Sequence, residues 1–149
     1  MRRARTAVVT TDFEQTLGTD LAQIPRLADA FGAWAAGAGV EAADVHRVNV
    51  VLEELVVNAI VHGLGASRPG RVRVRVRREG DALEAELRDD APPFDPFEIP
   101  PPSLTASLEE REIGGLGVHF VKTLMDEWRY AREGGENVVV LRKRLGRGA

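Results

Sequence analysis

The stretch Glu54-Leu55-Val56-Val57-Asn58-Ala59-Ile60-Val61-His62-Gly63 decides how this chain folds. Apolar residues at Val48, Val51, Leu52, Leu55, Val56, Ala59 and Ile60 recur three and four apart. That spacing predicts a helix from near Glu41 to His62 with a wide buried stripe, stopped by Gly63. Glu54 and Asn58 lie four apart, so both project from one face of it. The helix thus carries a carboxylate and a carboxamide side by side at the rim of an apolar surface. A carboxamide oxygen is a hard neutral ligand suited to Mg²⁺, which takes the rest of its shell from water and phosphates. A nearby carboxylate can orient an attacking hydroxyl or accept its proton. An ordinary polar helix edge carries the same pair, so the spacing alone leaves both readings open. Glu53 points about 100° further round the helix and belongs to solvent.

Working outward, Thr6 to Phe13 reads as a strand with Ala7, Val8 and Val9 as its apolar content. Asp20 is placed to cap a helix through Leu21, Ile24, Leu27, Ala28, Phe31 and Trp34, which Gly37 and Gly39 end. Beyond the central helix, Arg71–Arg78 and Ala82–Arg88 form a hairpin turned at Glu79-Gly80-Asp81. A polar, proline-rich stretch from Asp89 to Ile113 follows, and a connection that long is usually functional or disordered. Gly114-Gly115-Leu116-Gly117 opens a helix through Val118, Val121, Leu124 and Met125. Glu127–Glu133 and Asn137–Arg144 close the chain as a second hairpin turned at Gly134-Gly135. The order β-α-α-β-β-loop-α-β-β predicts an α/β two-layer sandwich, with helices on one face of a largely antiparallel sheet.

The bulk properties agree with one globular domain: 149 residues, 44% hydrophobic and 29% charged. The absence of cysteine excludes disulfides, thiolate metal sites and a cysteine nucleophile. The opening Met1-Arg2-Arg3 has no apolar run behind it, and no stretch is apolar and long enough to span a bilayer, so a cytoplasmic protein with no membrane contact is expected. A net charge of −3 offers no global field for nucleic acid. The local exception, Arg71-Val72-Arg73-Val74-Arg75-Val76-Arg77-Arg78, alternates at period two. It reads as a half-buried strand with a solvated arginine face; without stacking aromatics, direct nucleic-acid binding is not expected.

Two further features bear on chemistry. Asp89 sits at a strand end, where a carboxylate can accept a hydrogen bond from an exocyclic amino group and so distinguish a purine; Asp89-Asp90 is also a routine turn initiator. Gly114, Gly115 and Gly117 stand at a helix start, where unpaired N–H groups and the helix dipole favour phosphate, although they equally suit a flexible helix entry. No Gly-Lys-Ser/Thr closes this run, so it is not a Walker A loop. Phe120 stands at the third glycine's place of a dinucleotide fingerprint, which excludes that reading too.

Taken in order, these segments resemble the GHKL ATPases. Glu54–Gly63 is similar to their N box, Asp89-Asp90-Ala91-Pro92-Pro93-Phe94-Asp95-Pro96 to their first glycine box, and Gly114-Gly115-Leu116-Gly117-Val118-His119-Phe120-Val121-Lys122 to their second. The resemblance is nearest to the stand-alone anti-sigma factor serine kinases of bacterial partner-switching systems. It implies a Bergerat (histidine-kinase-like ATPase) fold: a mixed, mostly antiparallel sheet with three helices on one face. Residues 1–149 would form a single ATP-binding and serine kinase domain, with an ATP lid at about 95–113. It implies ATP and Mg²⁺ as cofactors, with Asn58 coordinating the metal and Glu54 as catalytic base. Asp89 would bond the adenine amino group, with Ala91 and Phe94 beside it, and Gly114, Gly115, Leu116, Gly117 and Val118 would surround the phosphates. His62, one turn after Asn58, either lines the same pocket or has a purely structural role. Ala91 stands where the family usually has glycine, which would set a methyl group near the adenine, and Val140 where a threonine often holds adenine through water.

The implied partners are an anti-sigma factor antagonist of STAS type, which is phosphorylated on serine, and a sigma factor or other regulated protein, which is sequestered; a homodimer is compatible with this. Two other readings remain open: a nucleotide-dependent binding switch with little kinase activity, and a kinase-antagonist pair that controls a process other than transcription, such as secretion.

Overall fold

The computed structural model describes residues 11–64, 70–98 and 121–146. Among these, five strands form one sheet: β1 (Phe13–Leu17), β2 (Val72–Glu79), β3 (Ala82–Asp89), β4 (Glu127–Glu133) and β5 (Glu136–Arg144). Their spatial order is β1-β2-β3-β5-β4, and every pairing is antiparallel. Three helices complete the two-layer sandwich: α1 (Ile24–Gly37), α2 (Ala42–Asn58) and a segment at residues 121–124, α3.

Period-two alternation decides which face of the sheet is covered. On β2, Val72, Val74 and Val76 are fully buried, while Arg73, Arg75 and Arg77 are exposed. Leu83, Ala85 and Leu87 of β3 and Val139 and Leu141 of β5 add to the inner face. Against it lie Leu27 and Phe31 of α1, Val48, Leu52, Leu55 and Val56 of α2, and Val121 of α3. Burying each large side chain of this kind contributes about 1.5–3 kcal/mol. Phe31 also meets Phe13 edge-on at 5.8 Å and Trp34 at 6.0 Å, so β1 is pinned to α1 by aromatic packing.

The two hairpins turn on the glycines expected. Gly80 has φ +59° with no positive φ at Asp81, which fits a type II′ turn, whereas Gly134 and Gly135 are both positive, the signature of type I′. Asp20 caps a 3₁₀ turn at Leu21–Gln23 that leads into α1, its carboxylate accepting from Ala22 N–H at 2.9 Å. The first strand among the described residues, β1, runs from Phe13 to Leu17, and of the expected strand Thr6–Phe13 the residues 6–10 lie outside the described residues. Phe13 and Leu17 share parity on the strand and both enter the core, a stronger inward pattern than the Val8-Val9 run suggested.

The outer face of the sheet is a lattice of paired charge. Arg75 donates to Asp12 at 2.7 and 3.0 Å, Arg77 to Glu84 at 3.1 Å, and Arg142 to Glu79 at 3.0 Å. Arg88 binds Glu86 at 3.1 Å and also reaches Glu133 and Glu136. Arg75 and Arg77 of the arginine stripe are thus committed to neighbouring carboxylates.

Candidate functional site

The helical wall of the site begins where α2 ends. Asn58, its last residue, is 1% exposed, and neither its Oδ1 nor its Nδ2 has a hydrogen-bond partner among the described residues. One turn earlier, Glu54 Oε2 is buried and equally unpartnered. Burial, aided by the charge of neighbouring Glu53, pushes the Glu54 carboxyl above its ordinary range. Glu53 itself is exposed. Buried polar groups are nearly always satisfied, and each unsatisfied one costs about 1–3 kcal/mol. Three such atoms within one helical turn are therefore exceptional. After Asn58 the helix widens into a π-helical stretch, Ala59–Leu64, carrying His62. Stretches of this kind are frequent at functional sites.

The sheet wall is contributed by β3 and β5. Asp89 ends β3, and burial raises its carboxyl above the usual aspartate range. Hydrogen bonds from Asn137 and the Ala91 N–H, and the charge of Arg132, act in the opposite direction. Asn137 lies directly across from Asp89 in the β3–β5 register and donates to its Oδ1 at 2.9 Å. Between the two walls is a cavity of about 20 Å³, lined by Leu55, Asn58, Ala59, Leu87, Asp89, Phe94, Pro96, Asn137 and Val139. That volume accommodates about one water. A purine base is several times larger than this cavity.

The structure brings together Glu54, Asn58, His62, Asp89 and Phe94. His62 and Phe94 stack, with ring centroids 6.2 Å apart and planes inclined by 22°. Ala91 is fully buried in the core and meets the site through its backbone: its N–H donates to Asp89 Oδ1 at 3.0 Å and its carbonyl accepts from Arg132 at 2.7 Å. Gly114, Gly115, Leu116, Gly117 and Val118 lie outside the described residues, as does the stretch 99–113 of the expected lid. Val140 takes no part in this cavity. Alternation turns it to the outer face, and Asn137 and Val139 are the β5 residues on the cavity wall.

Asn137, Tyr130 and Arg132 were not singled out by the sequence reading. Asn137 opens the run Val138-Val139-Val140-Leu141, where it looks like a turn residue. Only the β3–β5 register, which sets Asn137, Val139 and Leu141 beside Asp89, Leu87 and Ala85 on the inner face, reveals an amide aimed at Asp89.

The chemistry of the site suits Mg²⁺ and a nucleotide. Asn58 Oδ1 is a neutral, unpartnered oxygen beside a carboxylate. Among the described residues no group of three His, Cys, Asp or Glu side chains could hold a metal ion. The apolar walls with a few converging polar groups match a base pocket.

Known proteins are similar to this chain in sequence and fold. Serine-protein kinase RsbW of Listeria innocua is 27% identical over 110 residues, spanning 71% of this chain and 70% of that one. Serine-protein kinase RsbW of Bacillus licheniformis is 30% identical over 99 residues, spanning 64% of this chain and 62% of its own length. Among solved structures, the RsbU and RsbW domains of Rv1364c from Mycobacterium tuberculosis align over 94% of this chain and 34% of that one, with a TM-score of 0.66 at 22% identity. That likeness establishes the fold. No described helix is long and apolar enough to cross a membrane. The model of the histidine kinase-like ATPase domain matches residues 17–143, an assignment that implies ATP binding, and the chain belongs to that family.

Proposed function

We propose that this chain is an ATP-dependent protein serine kinase that also acts as an anti-sigma factor, phosphorylating a small STAS-type antagonist in a partner-switching system. One observation carries the reading: the unpartnered polar atoms of Glu54 and Asn58 share one face of α2, and Asn58 lines the same cavity as Asp89. The serine-protein kinases to which the chain is similar support the choice of acceptor.

Each residue has a distinct task in this reading. Asp89 accepts a hydrogen bond from the adenine amino group, with Leu55, Ala59, Leu87 and Val139 against the ring. Phe94 and His62 rim the base, and Ala91 holds the Asp89 carboxylate through its backbone. Backbone N–H groups of Gly114, Gly115, Leu116, Gly117 and Val118 surround the phosphates, and the segment at about 95–113 closes over them. Asn58 Oδ1 would hold Mg²⁺, which supplies charge neutralisation at the phosphates. Glu54, with its raised pKa, accepts the proton as the serine oxygen attacks the γ-phosphorus; the new O–P bond forms while the bond to the β-phosphate breaks and ADP leaves.

The test is transfer of radiolabelled phosphate from Mg·ATP to each antagonist of the host, with the product identified as phosphoserine. Transfer to one antagonist is expected. ATP binding without transfer to any of them sinks the kinase assignment and leaves a nucleotide-dependent binding switch.

A further inference from the structure

The amide of Asn137 is used to capacity. Oδ1 accepts from the Tyr130 hydroxyl, from Phe94 N–H at 3.0 Å and from the Arg132 guanidinium at 3.3 Å. Nδ2 donates to Asp89 Oδ1 at 2.9 Å, Pro92 O at 3.0 Å and, more weakly, Ala91 O at 3.4 Å. A flipped amide would turn its oxygen to a carboxylate and two carbonyls and its nitrogen to three donors. The partners therefore fix the orientation.

The consequence falls on Asp89. Both donors to its carboxylate, Asn137 Nδ2 and Ala91 N–H, meet Oδ1, and no described residue bonds Oδ2. One oxygen is bound within the protein, and the other is left for whatever enters the cavity. A carboxylate held at one oxygen cannot rotate freely to present either oxygen. Such preorganisation gives a single acceptor in a fixed direction, which discrimination by one hydrogen bond requires.

We propose that Asn137 is the positioning residue of the purine selector: it locks Asp89 so that Oδ2 alone accepts from the exocyclic amino group of adenine. This rests on the nucleotide reading above. It departs from a merely structural role for Asn137, in which the amide ties the Ala91–Phe94 loop to the sheet and nothing more.

The experiment titrates the full chain with Mg·ATP and with purine riboside triphosphate, which is ATP without the 6-amino group. The wild type should prefer ATP by roughly tenfold to a hundredfold, the effect of losing one matched buried partner. Asn137→Ala should compress that preference to within about threefold. Tyr130→Phe removes one of three donors to Oδ1 and leaves Nδ2 in place, so it should lower stability but keep the wild-type ratio. An unchanged ratio in Asn137→Ala, or an equal loss in Tyr130→Phe, overturns the proposal.

A wild-type measurement guards against a variant that fails to fold. The Asn137 side-chain amide resonances should move on saturation with ATP and far less with the desamino analogue; equal movement overturns the proposal as well. Failure of the wild type to bind either nucleotide takes down the nucleotide reading itself, and the role of Asn137 with it. Tight binding with an unchanged ratio in Asn137→Ala removes Asn137 alone.

Discussion

Two asparagines face one cavity from opposite layers of the sandwich. Asn58, on the helical wall, is 1% exposed; Asn137, on the sheet wall, is 2% exposed. Their burial is the same and their bonding is opposite. Asn137 has a described partner for every polar group it carries, whereas Asn58 has none. A saturated amide is part of the scaffold, because its bonds organise the chain around it. An unsatisfied amide at equal depth costs folding free energy and persists where something else benefits. The difference separates the residue that awaits a ligand from the one that shapes the wall behind it, and Glu54 falls on the ligand-seeking side.

The largest effect expected on that side is at Glu54. Glu54→Gln is nearly isosteric and removes only the proton acceptor, so phosphate transfer should fall by roughly 10² to 10⁴-fold while Mg·ATP affinity stays close to wild type. Asn58→Ala should lose both transfer and Mg·ATP binding. Transfer rates and nucleotide titrations on the two variants separate the roles. Wild-type transfer by Glu54→Gln would end the assignment of the base.

The asparagine contrast itself is broken or sharpened by one substitution made twice. Asn137→Leu strands the Tyr130 hydroxyl, the Phe94 N–H and the Pro92 carbonyl. It should cost about 3 kcal/mol or more in denaturant unfolding. Asn58→Leu strands no described partner and replaces an unsatisfied amide by an apolar group of similar volume. It should be neutral or stabilising by up to about 1 kcal/mol in the nucleotide-free protein. Equal destabilisation by both would mean that Asn58 is as structural as Asn137.

A smaller effect follows from the Glu54 carboxyl. Its folded pKa is raised above the ordinary 4.5 by burial and by Glu53, so folding favours its neutral form. The stability this contributes is complete below pH 4.5 and is lost as pH rises through the folded value. Asp89 has the same sign, starting from its ordinary 3.8. Glu54→Gln should therefore match wild type in stability near pH 4 and gain on it progressively towards neutral pH. A difference that shrinks with rising pH would contradict the burial of this carboxylate.

How much of this was legible in the sequence depends on the range of the interaction concerned. The hairpin turns at Gly80 and at Gly134-Gly135, the stripe of α2 and the alternation of β2 are local patterns, and each is read within a dozen residues. Glu54 and Asn58 were visible for the same reason, since one helix sets their spacing. Asn137 was not. Its partner Asp89 is 48 residues away, and their contact exists only once β3 and β5 pair. Val140 was assigned to the pocket for want of the same register, which turns Val139 inward instead. The strand Phe13–Leu17 was not read because its packing against Phe31 and its pairing with Val72–Val76 are tertiary facts.

The smallest effect belongs to the outer face of the sheet, where charge is abundant and already paired. Arg75 holds Asp12 through two hydrogen bonds, but its side chain is 49% exposed. An ion pair so placed gains little over its hydration and is screened by salt. Arg75→Ala should lower stability only slightly, by an amount that shrinks further in molar salt, and leave nucleotide affinity and phosphate transfer at wild-type levels. Thermal unfolding at low and high ionic strength, run beside the transfer assay, measures both parts. A large loss of transfer with stability intact would show that the arginine face contacts the protein substrate. In that case partnered charge would not mark scaffold on this fold, and the inference drawn from the two asparagines would hold only for groups as deeply buried as they are.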